Sequence, residues 1–215
     1  MNNPTLTFLG KDSGFGDNNN SAYIENNNVL YIIDCGFSVF NLIKNKFDFK
    51  KYNSINVIIT HLHNDHAGSL SQLILYLWFI HSIKVNIICK CDRIKEYLDI
   101  TGTPNEAYTL KDSLNNLEFI KAEHTKYLDA YGFKLTINEK TIIYTGDTNT
   151  LEPFIPHLNN TNELYIDVSK FGGAHIKIDD IYEELKNLKK NGIDIYLMHL
   201  DDIEYINNIT NNEFN

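Results

Sequence analysis

Cysteine is scarce in this chain: Cys35, Cys89 and Cys91 are the three among 215 residues. An odd number with no framework of spacings excludes a disulfide-stapled secreted module and fits a reducing compartment. Cys89 and Cys91 lack the second pair that a thiolate metal site would need, so they read as ordinary buried or half-buried thiols. Long apolar runs are missing too. The longest, Leu73 to Ile80, is eight residues, far short of the about 20 that cross a bilayer, which argues against a membrane partner. No basic stretch followed by an apolar one stands at Met1-Asn2-Asn3-Pro4-Thr5-Leu6-Thr7, so a cytoplasmic location is expected. Positive charge is in short supply, with 19 Lys and Arg against 28 Asp and Glu and a net charge of −9. That balance argues against a general nucleic-acid binder, whose affinity rests on cations facing phosphates. A small anionic substrate stays open, because bound metal ions would reverse the potential locally. Neither a fixed-period repeat nor a linker is visible. With 43% hydrophobic residues the chain can bury an ample core, and 1–215 reads as a single domain.

Histidine is what the chain does have. The stretch His61-Leu62-His63-Asn64-Asp65-His66 follows the β-branched apolar run Ile55 to Thr60, which reads as a buried strand, and precedes a helix-length segment ending near Ile80. Three imidazoles and a carboxylate in one turn would repel if protonated, and if buried and neutral each would need a hydrogen-bond partner. A divalent cation removes both problems, since neutral imidazole nitrogen and carboxylate oxygen are its preferred ligands. His61 and His63 can face one point while Asp65 and His66 face another. Two metal ions are therefore more plausible than one.

Other elements follow from turn chemistry and periodicity. Strands are expected at Thr5 to Leu9, Ser21 to Glu25 and Val29 to Ile33, the last two joined by Asn26-Asn27-Asn28, which tolerates positive φ. The glycine-rich Gly10 to Gly16 loop misses the dinucleotide spacing and lacks a following Lys-Ser/Thr pair, so it reads as a tight turn near the main site. A helix is expected from Phe37 to Lys46, a strand from Lys84 to Ile88 and a helix from Arg93 to Ile100. Thr101 to Asn116 reads as irregular, with Gly102 and Pro104 as breakers. Then come a strand at Leu117 to Ala122, a hairpin of Tyr131 to Ile137 with Thr141 to Tyr144, and a strand at Leu164 to Val168. An amphipathic helix at Ile178 to Lys190 and a strand at Ile193 to Leu197 follow, and the Asn-rich Asn207 to Asn215 tail is expected to fray. Asp34, His61 to His66, His124, Asp147 and His199 all fall just after expected strands. If those strands share an orientation, their ends converge on one sheet edge. Of the eight histidines, only His81 and His157 fall outside this set and the Gly172-Gly173-Ala174-His175 turn, and both read as surface or capping residues.

These motifs resemble the metallo-β-lactamase superfamily. HLHNDH is similar to its HxHxDH signature, His124 to its next metal histidine, TGDT at 145–148 to its bridging-aspartate loop, and MHL at 198–200 to its last ligand. The opening FLGKDSGF and LYIIDCG at 30–36 also resemble superfamily segments. The resemblance implies an α/β fold, the four-layer αββα sandwich of two mixed sheets. It implies His61, His63 and His124 on one metal ion, Asp65, His66 and His199 on the second, and Asp147 bridging. Zinc is the default for so histidine-rich a set, with manganese next.

Within the superfamily the chain is most similar to the transfer-RNA 3′-end ribonuclease (RNase Z) branch and related phosphodiesterases. The resemblance implies that His175 protonates the leaving oxygen, oriented by Asp167. Asp65 would both ligate a metal and orient the nucleophile, a hydroxide held between the two ions, while Asp34 steadies the HLHNDH turn or accepts an imidazole N–H. Only a hairpin's length separates His124 from Asp147, where transfer-RNA enzymes carry a long basic arm, so a large folded RNA is not the expected substrate. The expected substrate is a small phosphodiester, best a cyclic nucleotide of the kind destroyed by anti-Pycsar-type enzymes. Phe15, Tyr127 and Phe171 are aromatic candidates for stacking a base, and the relatives imply a homodimer. The alternatives are an RNase Z-like ribonuclease or a lactonase or thioesterase; a β-lactamase is further off, since those enzymes often carry cysteine where Asp147 stands and are exported.

Overall fold

A computed structural model describes residues 5–214, which divide into two compact units. The first spans 6–114. Its strands are β1 (Thr7–Gly10), β2 (Ser21–Asn26), β3 (Val29–Ile33), β4 (Ser54–Ile59), β5 (Val85–Cys89) and β6 (Tyr108–Lys111). They form one six-stranded sheet in chain order, antiparallel from β1 to β3 and parallel from β3 to β6. The parallel pairs need crossovers, supplied by α1 (Val39–Lys46), by α2 (Asn64–Ala67) with α3 (Leu70–His81), and by α4 (Ile94–Ile100). The β2–β3 hairpin turns on Asn27 and Asn28 at φ of 51° and 59°, the doubly left-handed turn that matches strand twist and that asparagine enters at low cost.

The second unit holds Thr5 and residues 115–214. Here β7 (Leu117–Ala122), β8 (Ala130–Ile137), β9 (Lys140–Tyr144), β10 (Glu163–Asp167) and β11 (Asp194–Met198) form a five-stranded sheet. Strands β7 to β9 are antiparallel, β9 to β11 parallel, so β7, β9, β10 and β11 all end on the same edge. One sheet face packs Ile143, Leu164, Ile166, Ile195 and Leu197 against α5 (Ile178–Lys190) and α6 (Ile203–Thr210). The spacing of Ile178, Ile181 and Leu185 puts all three on one stripe of α5. The other face carries a ladder of Phe133, Tyr144, Tyr165 and Tyr196, stacked ring on ring across four neighbouring strands.

Two expectations need correcting. Thr101 to Asn116 is not wholly irregular, since Tyr108–Lys111 pairs parallel with β5 as an edge strand. Four residues, of which Tyr108 alone is buried, carry too little alternation to announce a strand, and the pairing partner supplies the order. Nor does the tail fray: α6 occupies Ile203–Thr210, Asp202 caps it by accepting from the Tyr205 N–H at 2.9 Å, and Ile206 and Phe214 are buried. Tertiary packing overrides the poor helix propensity of its asparagines. Asn215 and the start of the chain before Thr5 lie outside the described residues. Cys35, Cys89 and Cys91 are buried and stand outside any disulfide, and burial pushes the Cys35 thiol up to about 12. Among the described residues no helix is long and apolar enough to cross a membrane.

Candidate metal centre

In the first unit the site begins where β3 stops. Asp34 takes a left-handed backbone at φ 60°, a conformation that costs energy for a non-glycine residue and persists only when its surroundings hold it. They do: its N–H donates to the Ile58 carbonyl at 2.8 Å, and its fully buried carboxylate accepts from the Thr60 N–H at 2.8 Å and the Thr60 hydroxyl at 2.9 Å. The same carboxylate receives His66 Nδ1–H at 2.8 Å. Burial drives the Asp34 carboxyl above its ordinary pKa, against a smaller pull downward from His66 and Thr60.

With Nδ1 occupied, His66 presents Nε2, which lies 3.3 Å from Asp65 Oδ2. His61 is fully buried, its Nδ1 3.1 Å from the Thr60 hydroxyl and its Nε2 2.9 Å from His63 Nδ1. The turn is stitched to the segment after β3: Cys35 N–H donates to the His66 carbonyl at 2.7 Å, Phe37 N–H to Asn64 at 3.0 Å, and the Ser69 hydroxyl to Gly36 at 2.6 Å. Gly36 is required by this closeness, because a Cβ there would stand 1.9 Å from the Asp65 carbonyl oxygen. The Gly10 to Gly16 loop also reaches the turn, with Gly14 against the Asp65 carboxylate.

The second unit gathers the rest. His124 follows β7 and donates Nδ1–H to the Ala174 carbonyl at 2.9 Å. Asp147 follows β9, is 2% exposed, and holds Oδ2 3.7 Å from His124 Nε2 and 3.5 Å from His199 Nε2. His199 follows β11 in a left-handed backbone at φ 57°. Asp167, the last residue of β10, accepts from the Thr148 N–H at 3.0 Å and from His175 Nδ1–H at 2.8 Å. The ligating atoms of Asp147, Asp167, His175 and His199 all lie within 4.8 Å of one another. Burial lowers the His175 pKa, but the charges of Asp167 and Asp147 outweigh it and the net shift is upward.

The donor chemistry suits divalent cations. Imidazoles whose Nδ1–H groups are held by Asp34 and Ala174 have a fixed tautomer and a committed Nε2 lone pair, the arrangement that orients metal-binding histidines. The structure thus brings His61, His63, Asp65 and His66 together with Asp34 in one unit, and His124, Asp147, Asp167, His175 and His199 together in the other. His81 packs on Phe49 and Tyr76, and His157 closes a short 3-10 turn beside Glu118. Sequence reasoning missed Thr60, which braces Asp34, and Ser169 and Asp201, which brace the loop carrying His175. Hydroxyls and acids beside a motif carry no signal of their own.

Solved structures decide the architecture. The YhfI protein of Bacillus subtilis, described as a metallo-β-lactamase fold protein, matches with a TM-score of 0.79 at 17% identity, over 97% of this chain and 92% of that one. The chain has the metallo-β-lactamase fold. Human tRNase Z, short form, shares that fold with a TM-score of 0.71 at 13% identity, over 93% of each chain. In sequence, residues 4–98 match the family model described as Anti-Pycsar protein Apyc1. The Anti-Pycsar protein Apyc1 of Bacillus phage 010DV004 is 24% identical over 231 aligned residues, spanning 92% of this chain and 89% of that relative. In this example of the metallo-β-lactamase fold, histidines and aspartates stand at or just after the ends of β3, β4, β7, β9, β10 and β11, and Asp34, the Ala174 carbonyl and Asp167 hold the rings of His66, His124 and His175.

Proposed function

We propose that the chain is a metal-dependent phosphodiesterase of the metallo-β-lactamase fold that opens a small cyclic nucleotide. In this reading His61, His63 and His124 hold one divalent cation, Asp65, His66 and His199 hold a second, and Asp147 serves both. Such ions, zinc in the first instance and manganese next, supply hydroxide from water at neutral pH and neutralise charge on the phosphoryl oxygens. Asp65 also orients the attacking water. His175 gives its Nε2 proton to the departing ribose oxygen as the P–O bond breaks, so that water and a cyclic phosphodiester become a phosphomonoester with a free hydroxyl.

The observation that carries the reading is the His175–Asp167 pair. Asp167 takes Nδ1–H at 2.8 Å, which leaves Nε2 as the position for the transferable proton, and the charges of Asp167 and Asp147 shift the ring toward its protonated form against the burial that disfavours it. An alkoxide leaving group needs such an acid, whereas opening a lactone or thioester has less use for one. The similarity to Anti-Pycsar protein Apyc1 favours a cyclic nucleotide over other phosphodiesters. The net charge of −9 and the short interval between His124 and Asp147 disfavour a large folded RNA. The reading includes a single domain over 1–215, a homodimer, and a cytoplasmic setting, which three buried thiols outside any disulfide support.

The test is a panel: cyclic nucleotides followed by chromatography, bis(p-nitrophenyl) phosphate, a lactone and nitrocefin, all on one zinc-loaded sample. Cyclic-nucleotide opening is expected, and it should fall about 10²–10⁴-fold in His175→Ala while bound zinc is unchanged. Turnover of the lactone or nitrocefin alone, or full activity in His175→Ala, would overturn the assignment.

A further inference from the structure

The loop between β10 and α5 carries His175, and its backbone is loose by composition. Gly172 and Gly173 stand in succession at φ of 76° and 82°, so the segment has much conformational freedom to lose. At its Ser169 end the order comes from one buried hydroxyl. Ser169 Oγ accepts the N–H groups of Phe171 at 2.9 Å and Gly172 at 3.1 Å, and donates its own proton to Asp201 Oδ2 at 2.5 Å. Asp201 Oδ1 accepts the Lys170 N–H at 2.9 Å, so both carboxylate oxygens are spent on this loop. Ser169 is 3% exposed, and its backbone closes the loop by donating to the Ile176 carbonyl and accepting from Ile178 N–H. Lys170 Nζ adds an ion pair to Asp202 at 2.7 Å.

Asp201 belongs to the segment after β11, two positions beyond His199. The clamp therefore ties the loop bearing the proposed acid to the loop bearing a proposed metal ligand. His124 Nδ1–H reaches the same loop at the Ala174 carbonyl and Asp202 holds the Lys170 side chain, but Asp201 is the group that fills both carboxylate oxygens from the Ser169 end of the loop. We propose that Asp201 is a positioning residue: acting through Ser169, it sets the 169–176 loop so that His175 stays on Asp167 with Nε2 aimed at the leaving oxygen. This rests on the phosphodiesterase reading above.

The test separates positioning of an acid from general support by varying the leaving group. A ribose alkoxide needs a proton as it departs, and p-nitrophenolate does not. Asp201→Ala, Ser169→Ala, Asp201→Asn and the Ser169→Ala/Asp201→Ala double variant are compared with the full zinc-loaded chain. Expected is a loss in kcat of about tenfold to a hundredfold on the cyclic nucleotide for each alanine variant, part of what the acid itself supplies. KM and bound zinc should stay as they are, and kcat on bis(p-nitrophenyl) phosphate should remain within about twofold. The double variant should be no worse than either single one, because the two residues act as one unit. Asp201→Asn, which keeps one acceptor oxygen, should fall between. Equal losses on both esters, loss of zinc, or no loss at all would overturn the clamp while leaving the phosphodiesterase reading intact. A parent protein that hydrolyses neither ester would instead sink that reading and take the clamp with it.

Discussion

Asp34 concentrates three costs in one residue: a left-handed backbone, a fully buried carboxylate and a raised pKa. They are tolerable only because Thr60 and His66 together fill its oxygens. Asp34→Asn keeps the shape but substitutes an amide for a charge-assisted acceptor, so His66 loses the partner that fixes its tautomer. Affinity for zinc should drop about 10- to 100-fold, measured by competition with a chromophoric chelator. An unchanged affinity would mean that His66 is oriented by something else. Gly36→Ala is a harsher probe, because the new methyl meets a backbone oxygen that cannot swing aside. At least the about 1–3 kcal/mol typical of overpacking should be lost in urea unfolding. At this scale the sequence was legible where chemistry is dense: a run of imidazoles can hardly be read another way. Ser169 and Asp201 stayed hidden because a serine and a surface acid 32 positions apart look like solvent-facing residues until the chain folds.

Elements were legible in proportion to how much of their order is local. The β2–β3 and β8–β9 hairpins could be read from turn residues alone, and Asn138 and Glu139 take the positive φ that the second one needs. Helix α5 was legible from its apolar stripe, with Asp179 and Asp180 in the first turn and Lys189 and Lys190 in the last, each sign matched to the helix dipole. Strand β6 and helix α6 were not, since one depends on its neighbour β5 and the other on the apolar layer beneath it. For α6 a signal existed in the helical spacing of Ile203, Ile206 and Thr210, but four asparagines between 207 and 212 masked it. Packing makes a definite prediction here. Ile206 is fully buried in the layer that also holds Leu185 and Phe214, so Ile206→Ala should cost about 2–5 kcal/mol in denaturant unfolding. A cost below about half a kcal/mol, the scale of a neutral surface change, would mean that the tail frays after all.

At the scale of the whole molecule, proton and metal ion act on stability in ways that can be separated. Glu163 is 1% exposed and takes Thr5 N–H, the Thr5 hydroxyl, Lys140 Nζ and the Tyr165 hydroxyl at 2.7 to 2.9 Å. Burial raises its pKa, but these donors together outweigh it and the net shift is downward. A carboxylate held below its unfolded value of about 4.3 stabilises the fold above that pH, and the benefit disappears as pH falls through the depressed value. Glu163→Gln should therefore unfold more easily by about 1.5–3 kcal/mol at pH 7, and converge on the parent protein at acid pH. Both are compared metal-free, so that ligand protonation cancels. A gap that persists at low pH would remove the charge from the explanation. Metal works in the same sense, its contribution fading as pH falls, because protons compete for imidazole and carboxylate donors. Chelation should then abolish turnover and lower Tm, and zinc added back at a hundred times its dissociation constant should restore about 2.7 kcal/mol. Zinc bound as proposed should slow hydrogen exchange both in β4, which leads into the His61–His66 turn, and in β10, which ends at Asp167. Protection gained in one unit alone would show that the ions bind there without the other, and the proposed pair would have to be redrawn from that unit's own donors.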